Sequence, residues 1–157
     1  MPWHIYNIQI QGRHDNYEHY HAVVVRVAGS ALCIPSFTAG KTEVTENLAA
    51  FQRMGFFSHQ CSVELDNSKH VTFYNGKIGH QSVWFIGKRQ IISASVIDKL
   101  VPCGELDDHG MLQLMECFLE CSKTKNDFNP PKFVRAVERA YADLRAILYP
   151  PPPPVID

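Results

Sequence analysis

The chain of 157 residues has no long apolar run and no excess of charge of either sign. No stretch approaches the roughly 18 consecutive apolar residues that a membrane-spanning helix needs, so we expect no membrane partner. Fifteen Lys and Arg residues stand against sixteen Asp and Glu residues, which excludes nucleic-acid binding by bulk positive charge but not a local basic site. The start of the chain is polar by residue 11 and lacks the charged-then-apolar order of a signal peptide. These features predict a soluble, cytoplasmic protein.

Paired cysteine motifs are also absent: the chain has five cysteines, an odd number, and no CxxC. Cys117 and Cys121 are four residues apart and would share one face of a helix, but no second pair with zinc-ligand spacing follows. The sequence therefore predicts reduced, partly buried thiols, no metal site and no cofactor.

What the first 95 residues do contain is a series of short β-type runs. Five to seven strands are expected, which predicts a small antiparallel barrel or curved sheet. Gly29 predicts a hairpin between the second and third runs. Gly87 predicts that the last two runs are either one long strand bent at the glycine or two strands joined by a tight turn. The clearest runs are Trp3–Gln11, His21–Val27, Ala31–Ser36, Cys61–Leu65, Ser82–Ile86 and Gln90–Ser93.

The second half of the chain is predicted to be helical, giving a mainly β fold with appended helices (α+β). Apolar residues at three-and-four spacing predict helices near 108–121 and 131–148, and a further helix is predicted at Thr45–Met54. Five prolines after Tyr149 end the last helix and form an extended tail, either inert or a ligand for a proline-reading domain. We therefore divide the chain into a barrel (1–125), an additional helix (126–149) and a proline-rich tail (150–157).

Among polar features, a cluster of histidines at residues 14–21 leads directly into a predicted buried strand. His19 and His21 would lie at the mouth of the sheet, and histidine is the side chain best suited to proton transfer near neutral pH. The alternative is a polar surface loop with no role, which composition alone favours. No phosphate-binding glycine loop, GxSxG elbow or HExxH motif occurs.

Two further segments carry groups that suit a phosphate. Ser36 and Thr38 end a predicted strand with hydroxyls that can hydrogen-bond a phosphate or a base. Lys88 and Arg89 follow the break at Gly87, and a cation there can stabilise charge that develops on a phosphate. Read conservatively, the first segment is a turn and the second a pair of solvated cations.

The order of these segments resembles that of the MazF/PemK family (Kid/CcdB fold), the toxin endoribonucleases of toxin–antitoxin modules. The resemblance spans roughly residues 3–120. It rests on the order of the segments HAVVVRV, IPSFTAG, CSVELD, SVWFIGKRQIIS and ELDDHGMLQLMECFLE. It implies an SH3-like barrel that cleaves single-stranded RNA without metal, using the 2′-hydroxyl as nucleophile. It also implies a homodimer and a cognate antitoxin protein that blocks the RNA groove.

The family's catalytic arginine falls on His21 here, its catalytic threonine on Thr38, and its second arginine on Arg89 or Gln90. The proline after the first arginine and the acidic residue before the second have no counterpart, so the alternative is a degenerate barrel acting as a protein- or RNA-binding module. In the enzyme, a histidine would be base or acid, Arg89 the cation and Thr38 the phosphate-positioning group. We expect the side chains of His21 and Arg89 to lie outside the apolar core. The predicted catalytic residues are His21, Thr38, Arg89 and His19, and the predicted RNA-binding residues are Ser36, Lys88, Gln90 and Tyr20.

Overall fold

A computed structural model describes residues 2–9, 18–38, 61–124 and 130–155. The predicted helix at Thr45–Met54 and His14 of the histidine cluster lie outside these residues. The strands within them are β1 (Trp3–Gln9), β2 (Glu18–Val27), β3 (Ser30–Thr38), β4 (Ser62–Asp66), β5 (Val71–Phe73), β6 (Gln81–Phe85), β7 (Gln90–Ser93) and β8 (Gly104–Leu106). The helices are α1 (Asn67–His70), α2 (Ala94–Asp98), α3 (Asp108–Thr124) and α4 (Pro131–Leu148), and a 3-10 turn spans Ile86–Lys88.

The strands form one antiparallel sheet with the order β4-β6-β3-β2-β1-β8-β5, and β7 also pairs with β3. Strand β3 is shared between two neighbours on one side: its residues 30–33 pair with β7 and its residues 36–38 with β6. This change of partner accompanies the curl of the sheet into a half-barrel. The predicted fold class, a curved antiparallel sheet with appended helices (α+β), is confirmed, and the sheet forms a half-barrel.

The hairpin between β2 and β3 follows from two residues with positive φ. Ala28 has φ 49° and Gly29 has φ 80°, and Val27 pairs with Ser30 across them. Positive φ at both central residues is the geometry of a type I′ turn, whose twist matches that of the flanking strands. The hairpin predicted from Gly29 is therefore confirmed.

One face of the sheet, the helix-covered face, carries the main core. Tyr20, Ala22 and Val24 of β2 contact this core, which continues through Phe118 of α3 and Phe133 of α4. Because side chains alternate along a strand, the residues between them belong to the other face. The two long helices, α3 and α4, thus shield this set of alternate residues.

The opposite face, here called the histidine face, carries His4, Tyr6 and Ile8 of β1 and His19, His21 and Val23 of β2. A smaller apolar cluster lies on it, in which Ile97 of α2 packs against Tyr6, Ala31 and Cys33. Helix α2 therefore covers part of this face, at the end where β2 turns into β3.

The two long helices begin at the residues that their sequences indicate. The Asp107 carboxylate accepts from the backbone N–H of Gly110 at 2.7 Å, which caps α3. Helix α4 begins at Pro131 and buries Phe133, Val137 and Leu144 as one stripe, as predicted. Residues 150–155 that follow are exposed and have no regular secondary structure. Within the described ranges, none of the helices is both long and apolar enough to cross a membrane.

The prediction of reduced thiols throughout was wrong for two of the five cysteines. Cys61 and Cys121 form a disulfide, with Cα atoms 5.8 Å apart and a sequence separation of 60. Sequence spacing carried no sign of this pair, because only the packing of α3 beside the start of β4 brings the two together. Cys33, Cys103 and Cys117 are free, and burial raises the pKa of Cys33 to about 12.

A buried asparagine joins α1 to β6. The Asn67 side chain is 3% exposed; its Nδ2 donates to Ser82 Oγ at 2.7 Å and its Oδ1 accepts from Trp84 Nε1 at 3.3 Å. Its backbone N–H donates to the His80 carbonyl at 3.2 Å. Gly79 passes so close that a Cβ there would lie 2.6 Å from Asn67 Cβ.

We expect Gly79→Ala to lower the free energy of unfolding by about 1–3 kcal/mol, because the added methyl overpacks this contact. Urea denaturation followed by far-UV circular dichroism measures the change. Lys77→Ala, at an exposed neighbouring position, is the control and should change stability by less than about 0.5 kcal/mol. Equal urea midpoints for the two variants would contradict this expectation, because they would mean that the added methyl group fits beside Asn67.

Candidate functional site

His21 lies in the middle of the histidine face, opposite Tyr6 of β1 and Pro35 of β3. Its side chain is fully buried. Its Nδ1–H donates to the His19 carbonyl at 2.8 Å, and its Nε2 accepts from the Gln90 amide at 2.9 Å. This pair of contacts fixes the tautomer with the proton on Nδ1, because a carbonyl only accepts.

Burial and, to a smaller extent, the neighbouring His19 lower the pKa of His21 to about 4, against the opposing effect of the hydrogen bond to the His19 carbonyl. His21 is therefore neutral near neutral pH. The expectation that its side chain lies outside the apolar core was wrong, since the strand carries it inward beside Tyr6 and Gln90. Its catalytic role stays a prediction, and the geometry favours a positioning role, in which it holds the His19 backbone and the Gln90 amide.

His19 is the partly exposed histidine of the pair. Its ring lies 4.3 Å from that of Phe37, tilted by 43°, and Phe37 meets Phe85 edge-on at 5.0 Å. This aromatic stack restricts the imidazole to one orientation on the histidine face. His19 thus has access to solvent together with a supported position, which a group that transfers protons requires.

Gln90 reaches the same face through β7, where it pairs with Cys33 of β3. The Gln90 amide is buried and donates to the Gln9 carbonyl at 3.3 Å as well as to His21. Arg89 and Lys88 are half-buried. Burial lowers the pKa of Arg89 to about 10, which still leaves the guanidinium charged at neutral pH.

Not all predicted residues come together. Tyr20 faces the other way, with its ring 4.8 Å from that of Phe73. Ser36 pairs with the core residue Trp84 and is 5% exposed. Thr38 ends β3 in register with Ser82. The structure therefore brings His21 into contact with both the His19 carbonyl and the Gln90 amide, and Arg89 directly precedes Gln90 in the chain. Tyr20 lies on the helix-covered face.

Sequence reasoning missed a second polar group on the histidine face. The Tyr74 hydroxyl donates to Glu105 Oε2 at 3.0 Å, and the rings of His4 and Tyr6 meet edge-on with centroids 6.1 Å apart. These residues come from three strands that are distant in the chain, and no local motif joins them. The sequence indicates such strands only through the alternation of apolar and polar residues, and a strand of three residues is too short to show that alternation.

Another pair, His70 and Asp107, is joined by a hydrogen bond with Nδ1 3.0 Å from the carboxylate. Because the same carboxylate caps α3, this pair has a structural role. In the described part of the chain, no three His, Cys, Asp or Glu side chains are grouped so that they could hold a metal ion. No family model, no curated protein and no solved structure matches this chain.

Proposed function

We propose that the chain is a toxin-type endoribonuclease that cleaves single-stranded RNA on the histidine face without a metal ion. The observation that carries the proposal is the hydrogen bond between His21 and Gln90, at 2.9 Å. It joins the strand that carries His19 to the segment that carries Arg89. The segments that carry His19, which can transfer protons, and Arg89, which can contact a phosphate, are thus linked by this hydrogen bond.

The chemistry divides among these residues as follows. His19 takes the proton of the ribose 2′-hydroxyl, and the 2′-oxygen attacks the adjacent phosphorus as the bond to the 5′-oxygen breaks. Arg89 stabilises the extra negative charge on the phosphate in the transition state. The leaving 5′-oxygen takes up a proton from a water molecule, which gives one product with a 5′-hydroxyl and the other with a 2′,3′-cyclic phosphate. Thr38 positions the phosphate, and His21 positions His19 through its carbonyl.

Single-stranded RNA suits this surface because unpaired bases can stack on aromatic side chains. The partly exposed ring of His19 on Phe37 offers such a platform. We include in the proposal a cytoplasmic homodimer and an antitoxin segment that occupies the RNA groove. Exposed apolar side chains on β7 and α2, Ile91 and Val96, are available for contact with a second copy.

A second candidate function is supported by the state of His21. Both of its ring nitrogens are occupied and its pKa lies near 4, so it does not take up a proton at neutral pH. A sheet whose central histidine on this face is buried and neutral suits a binding module that holds RNA or protein without cutting it.

Incubation with a mixed-sequence RNA in EDTA tests the enzyme. We expect cleavage by the natural chain, and a loss of about a hundredfold or more in rate for both His19→Ala and Arg89→Ala, the usual contribution of a general base or a charge stabiliser. His109→Ala and Arg139→Ala, at exposed positions on α3 and α4, are matched controls and should cut at the natural rate.

Substrate chemistry provides the second arm of the same experiment. An oligonucleotide with deoxyribose at the cut site should resist cleavage, because the attacking 2′-hydroxyl is missing. RNA that is bound but not cut would establish the binding module instead. Cleavage that appears only with added magnesium would overturn the metal-independent mechanism.

A further inference from the structure

Beside the histidines, the histidine face carries four side chains that we call the tyrosine–glutamate patch: His4, Tyr6, Tyr74 and Glu105. Strand β8 lies between β1 and β5, and Glu105 is in register with His4 on one side and Thr72 on the other. Tyr74 follows β5 and donates its hydroxyl to Glu105 Oε2 at 3.0 Å. It is 52% exposed, and His4 and Glu105 are partly exposed, so a ligand can reach the patch.

Two polar groups of the patch have unused hydrogen-bonding capacity. Across residues 2–9, 18–38, 61–124 and 130–155, neither Glu105 Oε1 nor the Tyr6 hydroxyl has a hydrogen-bond partner. The Tyr6 side chain is only 5% exposed, and a buried hydroxyl without a partner is costly. Desolvation, the bond to Glu105 and the nearness of Tyr6 raise the pKa of Tyr74, so this phenol stays protonated and keeps donating to the carboxylate.

The patch is continuous with the candidate site. Tyr6 lies directly opposite His21 across the β1–β2 pair. Glu105 is in register with His4, and His19 with Ile8, four residues further along β1. The two side chains are therefore separated by about 13 Å along the strands and by two strand spacings, about 10 Å, across them. A base can lie on the patch while the backbone a few nucleotides further along one extended strand lies at His19.

We propose that the tyrosine–glutamate patch is a guanine-binding subsite, an inference that rests on the proposed RNA-cleaving function. Guanine is the one RNA base whose Watson–Crick edge offers two adjacent N–H donors, N1–H and the N2 amino group. The two oxygens of Glu105 accept both, because Oε2 keeps a lone pair beside its bond to Tyr74. The rings of His4 and Tyr74 flank the base and supply a stacking surface.

The other bases fit the patch less well. Adenine and cytosine each place an acceptor next to their amino group, and uracil places its single N–H between two carbonyls. Each would bring at least one acceptor against the carboxylate, which is an unfavourable contact. The patch therefore favours guanine in two ways: it makes two hydrogen bonds with guanine, and it makes an unfavourable contact with each of the other bases.

Binding of 2′-O-methyl octanucleotides tests the subsite, because blocking the 2′-oxygen allows the natural chain to be measured without cleavage. The probes are oligouridylates with one central guanine, inosine or adenine, titrated by fluorescence anisotropy. We expect the guanine probe to bind about tenfold more tightly than the adenine probe, within the range for a bidentate base contact, with inosine between them because it lacks the N2 amino group. Glu105→Gln should abolish the difference, and Glu138→Gln, on exposed α4, should keep it.

The outcomes separate this subsite from the nuclease. Equal binding of all three probes by a chain that cuts RNA would overturn the subsite alone, as would a guanine preference that survives Glu105→Gln. A guanine preference that Glu105→Gln removes, in a chain that does not cut RNA, would support the subsite and overturn the nuclease. Failure to bind any probe would overturn both.

Discussion

Reduction of the Cys61–Cys121 disulfide is expected to lower the free energy of unfolding by about 4 kcal/mol. The bond closes a loop of 60 residues, so it removes many conformations from the unfolded chain. Domains of this kind are stable by only about 5–15 kcal/mol, so the loss is a large share of the total. Urea denaturation with and without a phosphine reductant, and of the double variant Cys61→Ser/Cys121→Ser, measures it.

Cys117→Ser is the matched control, since Cys117 lies one turn before Cys121 and its S–H donates to the Ser62 carbonyl at 3.8 Å without entering the disulfide. It should cost less than about 1 kcal/mol, the net contribution of one weak hydrogen bond. Thiol titration of the denatured, unreduced chain should find three thiols, those of Cys33, Cys103 and Cys117. Five reactive thiols would contradict the pairing.

Protonation of His21 is expected to lower the free energy of unfolding as the pH falls below 6.5, before the carboxylates titrate. Its pKa is about 4 in the folded protein against an ordinary 6.5, so between these values the unfolded chain takes up a proton that the folded one does not. Stability is therefore complete above pH 6.5 and falls as the pH decreases toward 4. The difference in pKa corresponds to about 3 kcal/mol.

His21→Gln tests the assignment, because an amide can donate to the His19 carbonyl and accept from Gln90 without taking up a proton. Urea midpoints measured from pH 7 to pH 4 should fall much less steeply for this variant than for the natural chain. His109→Gln, with an exposed imidazole, should leave the slope unchanged. If the natural chain and His21→Gln gave parallel curves, protonation of His21 would not be the source of the acid sensitivity.

The parts of the fold that the sequence predicted well are those encoded locally. Helices α3 and α4 were placed within a few residues of their observed bounds, because caps and apolar periodicity lie inside each segment. Strand β7 was placed at Gln90–Ser93, as observed. Strands β5 and β8 were missed, because three residues are too few to show an alternating pattern.

The candidate site was predicted only in part, because its geometry depends on contacts between distant segments. The histidines were found from their local density, but the burial of His21 depends on Gln90, 69 residues later. The disulfide depends in the same way on the docking of α3. Tyr20 was assigned to the site, although its neighbours His19 and His21 face the other side of the sheet. The predicted strand began at residue 21, so the alternation of side chains along the strand was not applied to Tyr20.

The pairing of β1 with β8 places residues from opposite ends of the sheet region side by side, with Ile5 next to Gly104. During synthesis the β1–β2–β3 unit emerges first and has an open hydrogen-bonding edge along β1 until residue 106 is available. Contacts of such long sequence separation form late and slow the folding of a domain. A nascent chain that stops short of Gly104 therefore exposes an edge to which other chains can add a strand. Strand β8, only three residues long, covers Trp3–Ile5 of that edge once it pairs with β1.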